Sequence, residues 1–334
     1  MSPRNPVPIE SLLLPLKPES LQCLHRLMQY ERRVPPHPVP QKRKASVAII
    51  LFVGRKGDLY VILTTRSGDL RTYAYDTALP GGKWEDGDRD EEWTARREAF
   101  EEIGLPMDVE RVRCLSLLDY VIAGNQLVVT PVVFLVVDRS INPVLNPDEV
   151  VHLFSMPLAA FLHDRPADIP GWNFGLSERV VPAPRGFIKP PPIPMYASRN
   201  EKGEGEVGGR EGEYYQYRDI EWGGGPVRMH RFLTGREGGG VRPVYGLTAG
   251  ILVNAARVGF GQEPTFGEFA PGQMDMEDRL RFQIVSEGGQ LRRAVEAEGM
   301  MGPWMADERE RAQVHEEAGE VGKAEGGPRG GAKL

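Results

Sequence analysis

LPGGKWEDGDRDEEWTARREAFEEIGLP, residues 79–106, puts a glycine turn, a helix and a set of clustered carboxylates into one short span. At 100° per residue, Glu98, Glu101 and Glu102 stand at i, i+3 and i+4 and share one helix face. Trp93 and Phe100 point the other way, and Ala95, Ala99 and Ile103 cover a flank. Carboxylates so spaced repel by roughly a few tenths of a kcal/mol per pair on an exposed helix, and by more where water is excluded. A divalent cation turns that repulsion into ligation, and an all-oxygen set suits magnesium or manganese better than zinc. Arg97, one turn before Glu101, is spaced to pair with it and hold it for ligation. Gly104 followed by Leu105 and Pro106 supplies the stop, a left-handed glycine and then a residue that does not continue a helix. Ahead of the helix, Pro80-Gly81-Gly82 is a turn whose backbone, bare of Cβ, approaches a ligand closely. A glutamate-rich helix by itself is more often a solvated face, so the neighbours of this one decide the reading.

The whole string resembles the box of the Nudix hydrolase family: a glycine, five residues, an acid, seven residues, then R-E-(apolar)-x-E-E-x-G-(apolar). Gly82 matches the first glycine, and residues 97–105 match every position of the last part. Two departures stand out. The intermediate acid is Asp88, and eight residues instead of seven separate it from Arg97. Asp88 is either the acid of the box or a helix cap, in which case Glu91 at N3 completes a capping-box-like pair.

Just upstream, Leu63-Thr64-Thr65-Arg66-Ser67-Gly68-Asp69-Leu70-Arg71 resembles the L-T-x-R-S-x-x-L-R signature of the coenzyme A diphosphatase branch of that family. The aspartate and the longer spacing fit that branch too, whereas Tyr73-Ala74-Tyr75 stands where its members carry His-x-Gly. From chemistry alone, Arg66 and Arg71 bring two guanidiniums beside the glycine turn, suited to bidentate phosphate contacts.

The resemblance implies an α/β/α Nudix sandwich with a mixed sheet. It further implies metal-dependent hydrolysis of the diphosphate of coenzyme A or a derivative to adenosine 3′,5′-bisphosphate and a 4′-phosphopantetheine species. Glu98, Glu101 and Glu102 would hold Mg²⁺ or Mn²⁺, with Arg97 orienting them. Arg66, Ser67, Arg71, Gly81 and Gly82 would meet the small-molecule substrate. Asn146-Pro147-Asp148-Glu149-Val150 resembles a loop that Nudix enzymes place near the metal, and Glu149 is an outer ligand, a base or a turn carboxylate. Two rivals remain: a Nudix hydrolase of another nucleoside diphosphate derivative, such as an oxidised nucleotide, and a non-catalytic Nudix ligand-binding module.

Composition narrows the setting. With 41 Lys and Arg against 47 Asp and Glu, the net charge of −6 gives no case for nucleic-acid binding. Cys23 and Cys114 each lie in an apolar stretch without a CxxC or histidine partner, and read as buried thiols in a reducing compartment. No run reaches the roughly 18 to 20 apolar residues of a membrane span, and MSPRNPVPIE lacks a signal-peptide core. The tripeptide Ala332-Lys333-Leu334 is a conservative variant of the peroxisomal Ser-Lys-Leu address. It points to the peroxisome, with the cytosol as the alternative, and to an import receptor as partner.

Along the chain, residues 1–43 carry a helix at 18–31 and a linker, and residues 44–164 the Nudix core. Strands over 46–53 and 59–65 make a hairpin; strands over 112–122 and 127–137 make a second. Residues 154–162 suggest a short helix beginning at Pro157. Residues 165–240 turn Pro-, Gly- and Glu-rich, an insertion partly disordered with one strand near 213–220, which either covers the substrate cleft or is an inert loop. Residues 241–260 restore helical patterning, similar to the terminal helix of the family, on the sheet face away from the box helix. Residues 261–334 read as a mostly disordered tail with a weak helix at 306–317.

Overall fold

The computed structural model describes residues 15–70, 72–169, 207–208 and 213–324. Its elements run α1 (Pro18–Met28), β1 (Lys44–Val53), β2 (Leu59–Arg66), β3 (Thr77–Ala78), β4 (Gly81–Lys83), α2 (Glu91–Ile103), β5 (Val112–Leu117), β6 (Val121–Ile122), β7 (Val128–Val136) and β8 (Val150–Pro157). After the insertion begins come β9 (Val207–Gly208), β10 (Tyr215–Trp222), β11 (Gly225–Phe232), β12 (Val244–Tyr245), α3 (Gly246–Phe260), α4 (Met276–Val285), α5 (Gln290–Ala297) and α6 (Met301–Ala324).

The central sheet is mixed. β1 pairs in parallel with β7, while β2, β4, β5, β6 and β8 join antiparallel. β1 is apolar from Val47 to Val53 because its alternate residues serve two cores. Ala48 and Ile50 face one side with Val132 and Phe134, and Ala95, Ala99 and Ile103 of α2 close over them. Ile49 and Leu51 face the other side with Val133 and Leu135, under Leu252, Val253 and Ala256 of α3 and Cys23, Leu24 and Leu27 of α1. Helix, sheet and helix form the expected sandwich, with α2 and α3 on opposite faces.

Several expectations need correction. Residues 150–157 form β8, paired with β2, and the helical turn at Leu158–Leu162 follows it; Pro157 ends a strand and starts the turn. The first strand of the second hairpin is broken into β5 and β6. The insertion holds more than one strand: β10 forms a hairpin with β11, flanked by β9 and β12 in a second sheet. Its residues 170–206 and 209–212 lie outside the described residues, as do Arg71 and Ala332-Lys333-Leu334.

Nor is the region after Gly259 mostly without structure. Leu280, Ile284, Leu291, Val295 and Trp304 bury themselves against Val39, Tyr120, Ile122 and Val128. Leu291 N donates to Gln126 Oε1 at 3.0 Å, and Arg279 Nη2 to Pro226 O at 3.1 Å, so these helices grip two hairpin tips. Among the described residues no helix is long and apolar enough to cross a membrane.

Candidate active site

Helix α2 starts and stops where its chemistry dictates. Asp90 caps it, Oδ1 accepting from Trp93 N at 2.7 Å, so Asp88 is not the cap. At the far end Gly104 adopts φ 66°, and Leu105 N reaches back to Ala99 O at 3.2 Å, the left-handed stop expected of it. Phe100 is 52% exposed and does not pack; the buried side of the helix is the flank of Ala95, Ala99 and Ile103, continued by Arg96 over the Phe134 ring. Glu102 lies three residues from Ala99 and so borders that buried flank, with 5% of its side chain exposed. Glu101, on the other edge, is 46% exposed, and Glu98 between them 14%.

Asp88 is instead the anchor of Arg97. Arg97 Nε and Nη2 form a fork on its two oxygens at 2.9 and 3.0 Å, and Thr94 Oγ1 and Glu85 N also donate to it. Thus fixed, Arg97 presents Nη1 to Glu98 Oε1 at 3.0 Å and Glu101 Oε2 at 3.1 Å, and gives Nη2 also to Lys83 O. The Arg97–Glu101 pair read from spacing is present. The fork between Arg97 and Asp88 was not read from the sequence, which left Asp88 as the acid of the box or a cap.

The glycine turn packs on the acids. β4 pairs with β1 at Gly82↔Ser46 and Gly81↔Val47. A Cβ on Gly82 would lie 2.3 Å from Glu98 Oε1, and one on Gly81 2.4 Å from Ser46 O. The Gly81 backbone N–H donates to Glu102. Burial pushes the Glu98 carboxyl up to about 7 against the pull of Arg97, with Glu101 and Glu149 adding to the rise. Burial raises Glu102 to about 8, opposed by Arg66 and assisted by Glu98 and Glu149.

Arg66 comes to this cluster from β2, where the pairing with β8 shifts register between Thr65 and Arg66 and re-aims the side chain. Its Nη1 is 3.9 Å from Glu102 Oε1, and its Nε is buried with no hydrogen-bond partner among the described residues. Ser67 is buried, its Oγ accepting from Asp69 N and its N donating to Glu149 O at 2.7 Å, so it shapes the loop. That last bond, with Asn146 N on Glu102 O at 2.9 Å, draws the 146–150 loop to the end of α2. Glu149, Arg66, Gly81, Gly82 and the three glutamates therefore meet in one place.

Among the described residues no three His, Cys, Asp or Glu side chains stand as a ready metal cage, and Glu98 and Glu101 both lean on Arg97. The donor set still suits a hard cation. It is all oxygen, and the crowding and burial that hold Glu98 and Glu102 partly protonated are what a divalent charge relieves.

A mixed sheet sandwiched by helices, with a glycine turn against an arginine-braced glutamate face, is the Nudix fold and its box. The chain matches the NUDIX domain over residues 42–175. It is 34% identical over 230 residues to Nudix hydrolase 15, mitochondrial, of Arabidopsis thaliana, covering 69% of this chain and 63% of that protein. To the uncharacterized Nudix hydrolase NudL of Escherichia coli (strain K12 / DH10B) it is 38% identical over 139 residues, 40% of this chain and 69% of that protein. To the peroxisomal coenzyme A diphosphatase NUDT7 of Mus musculus it is 42% identical over 121 residues, 36% of this chain and 49% of that protein. The chain belongs to the Nudix hydrolase family. It spans less than two thirds of the length of the plant relatives it matches.

Proposed function

We propose that this protein hydrolyses a diphosphate bond with the help of magnesium or manganese, and that its substrate is coenzyme A or a derivative. The observation that carries the reading is the meeting of two desolvated carboxylates, Glu98 and Glu102, with the glycine turn and the Arg66 guanidinium, whose buried Nε has no hydrogen-bond partner among the described residues. Glu98, Glu101 and Glu102 would hold the cation. Bound there, it would neutralise the bridging phosphates and lower the pKa of an attacking water. Arg97 fixes the direction of Glu98 and Glu101 and is itself fixed by Asp88. Arg66, with Arg71 close behind it in sequence, receives a phosphate of the substrate. The proton of the attacking water would pass to a helix glutamate or to Glu149.

Support for coenzyme A comes from the segment 63–71 and from the likeness to a protein named as a peroxisomal coenzyme A diphosphatase. The peroxisomal location and the import receptor belong to the same proposal. Removing Ala332-Lys333-Leu334 from a tagged protein should release it to the cytosol, and an unchanged distribution ends that part of it.

The deciding experiment is product analysis of the purified chain with coenzyme A and Mg²⁺. Adenosine 3′,5′-bisphosphate and 4′-phosphopantetheine are expected, with a loss of about a hundredfold or more in Glu101→Gln and Glu102→Gln. Turnover of other nucleotide diphosphates alone would replace the substrate. Equal inactivity of native and variant chains on every diphosphate would make the protein a binding module.

A further inference from the structure

After β2 the chain returns to Arg66 through residues 72–76. Arg66 N donates to Asp76 O at 3.0 Å, and Tyr75 N donates to Arg66 O at 3.2 Å. Between these bonds Tyr73 and Tyr75 adopt φ 57° and 64°, a left-handed conformation that bulky side chains disfavour. Such backbone persists where surrounding contacts over-determine it. Here they come from far along the chain, at the exit of the insertion.

Asp76 is 7% exposed, and its two carboxylate oxygens accept from Arg242 Nη1 at 2.6 Å and Tyr245 Oη at 2.9 Å. The next residue joins the same clasp, Thr77 Oγ1 donating to Arg242 O at 2.6 Å. The Arg242 guanidinium also lies 5.9 Å from the Tyr75 ring centre. One carboxylate thus ties the loop to the segment before α3, and its own main chain holds the amide of the arginine that faces Glu102.

We propose that Arg242 and Tyr245 are positioning residues for the substrate's phosphate, acting through Asp76 to hold residues 72–76 against Arg66, so that Arg66 stays aimed beside Glu102. The inference rests on the hydrolase reading above. It makes the exit of the insertion part of the substrate site, although neither residue is near the box in sequence. A loosened clasp lets Arg66 leave the phosphate while Asp88, Arg97 and the glutamates stay in place. Ground-state binding should therefore suffer more than chemistry.

The test uses the full chain and two readouts, hydrogen exchange of the peptide covering 66–77 and steady-state kinetics with coenzyme A and Mg²⁺. Arg242→Ala should speed exchange at the Arg66 and Tyr75 amides and raise KM by about tenfold or more, with kcat within about threefold. Arg242→Lys should recover part of both, and Tyr245→Phe, which removes one of the two donors to Asp76, should shift both in the same direction by less. Unchanged exchange in Arg242→Ala overturns the proposal. So does faster exchange accompanied by a fall in kcat at constant KM, the mark of a general loss of structure. If the native chain hydrolyses no diphosphate, the hydrolase reading fails separately, and the exchange experiment still decides whether the clasp holds the loop.

Discussion

Gly82 and Glu98 are packed so closely that a methyl group on the glycine would sit 2.3 Å from Oε1 of the glutamate. The atom in the way is the tip of a flexible side chain, so Gly82→Ala should move the carboxylate and leave the backbone alone. We expect a fold destabilised by less than about 1 kcal/mol and a kcat lowered by about tenfold or more. Gly81→Ala is the contrasting case, since its Cβ would meet Ser46 O at 2.4 Å and Val47 Cα at 2.7 Å. There the backbone must part, and β4 should peel from β1 at a cost of about 1–3 kcal/mol. Thermal melts beside activity assays of the two variants separate these outcomes.

Arg97 and its anchor give a second test. A lysine reaches one oxygen of Asp88 but does not reproduce the fork that also serves Glu98 and Glu101. Arg97→Lys and Asp88→Asn should both lower kcat/KM, each on the order of tenfold or more. Their double variant should lose less than the product of the two, because both break one network. Asp90→Ala should instead cost about 1 kcal/mol of stability through the lost cap. Its kcat/KM should stay near native, and kinetics on the four variants check the set.

Which parts of this were legible in the sequence follows from how local the signals are. Glu98, Glu101 and Glu102 share a face by helical spacing, Gly104 stops the helix by its own backbone freedom, and β1 shows as a strand in its nearly continuous apolar run. The strand β8 was hidden because Pro157 suggests a helix start, and its role depends on pairing with β2. β11, GPVRMHRF, has too few apolar residues to announce itself and exists by pairing with β10. In the last third, glycines mask helices whose apolar residues make sense against Val39, Tyr120 and Val128. Asp76, Arg242 and Tyr245 carry no local sign at all, since the carboxylate meets its partners across 166 and 169 residues.

Burial raises Glu98 to about 7 and Glu102 to about 8, so near neutral pH both are at least partly protonated, and a cation bound there as proposed would displace those protons. Affinity for Mn²⁺ should therefore climb as pH rises from about 6 to about 8.5 and level off above, once both carboxyls are ionised in the free protein. Calorimetry in two buffers of different ionisation enthalpy counts the protons released, and close to one or more per cation is expected at about pH 7. An affinity flat across this range would mean that these carboxyls do not take up the cation.

The second sheet carries its own pH dependence through His230. It is 3% exposed, its Nε2 lies 3.0 Å from the Glu268 carbonyl and its Nδ1 2.9 Å from Tyr215 Oη. A carbonyl only accepts, so Nε2 carries the proton, and Nδ1 accepts from the tyrosine: the ring is held neutral. Burial lowers its pKa from 6.5 to about 4, with Arg228 adding to the fall and the carbonyl opposing it. In the unfolded chain the ring gains its proton near pH 6.5; in the folded chain it does not until about 4. Between those values the unfolded state binds more protons, so stability present above about 6.5 is lost as pH falls. The loss from pH 7 to pH 5 should be about 2 kcal/mol from this group. Urea unfolding at the two pH values, native beside His230→Gln, isolates it, because Gln keeps a donor and an acceptor without a proton to gain. The native chain should lose about 2 kcal/mol more than the variant, and equal losses would show that His230 charges freely within the fold.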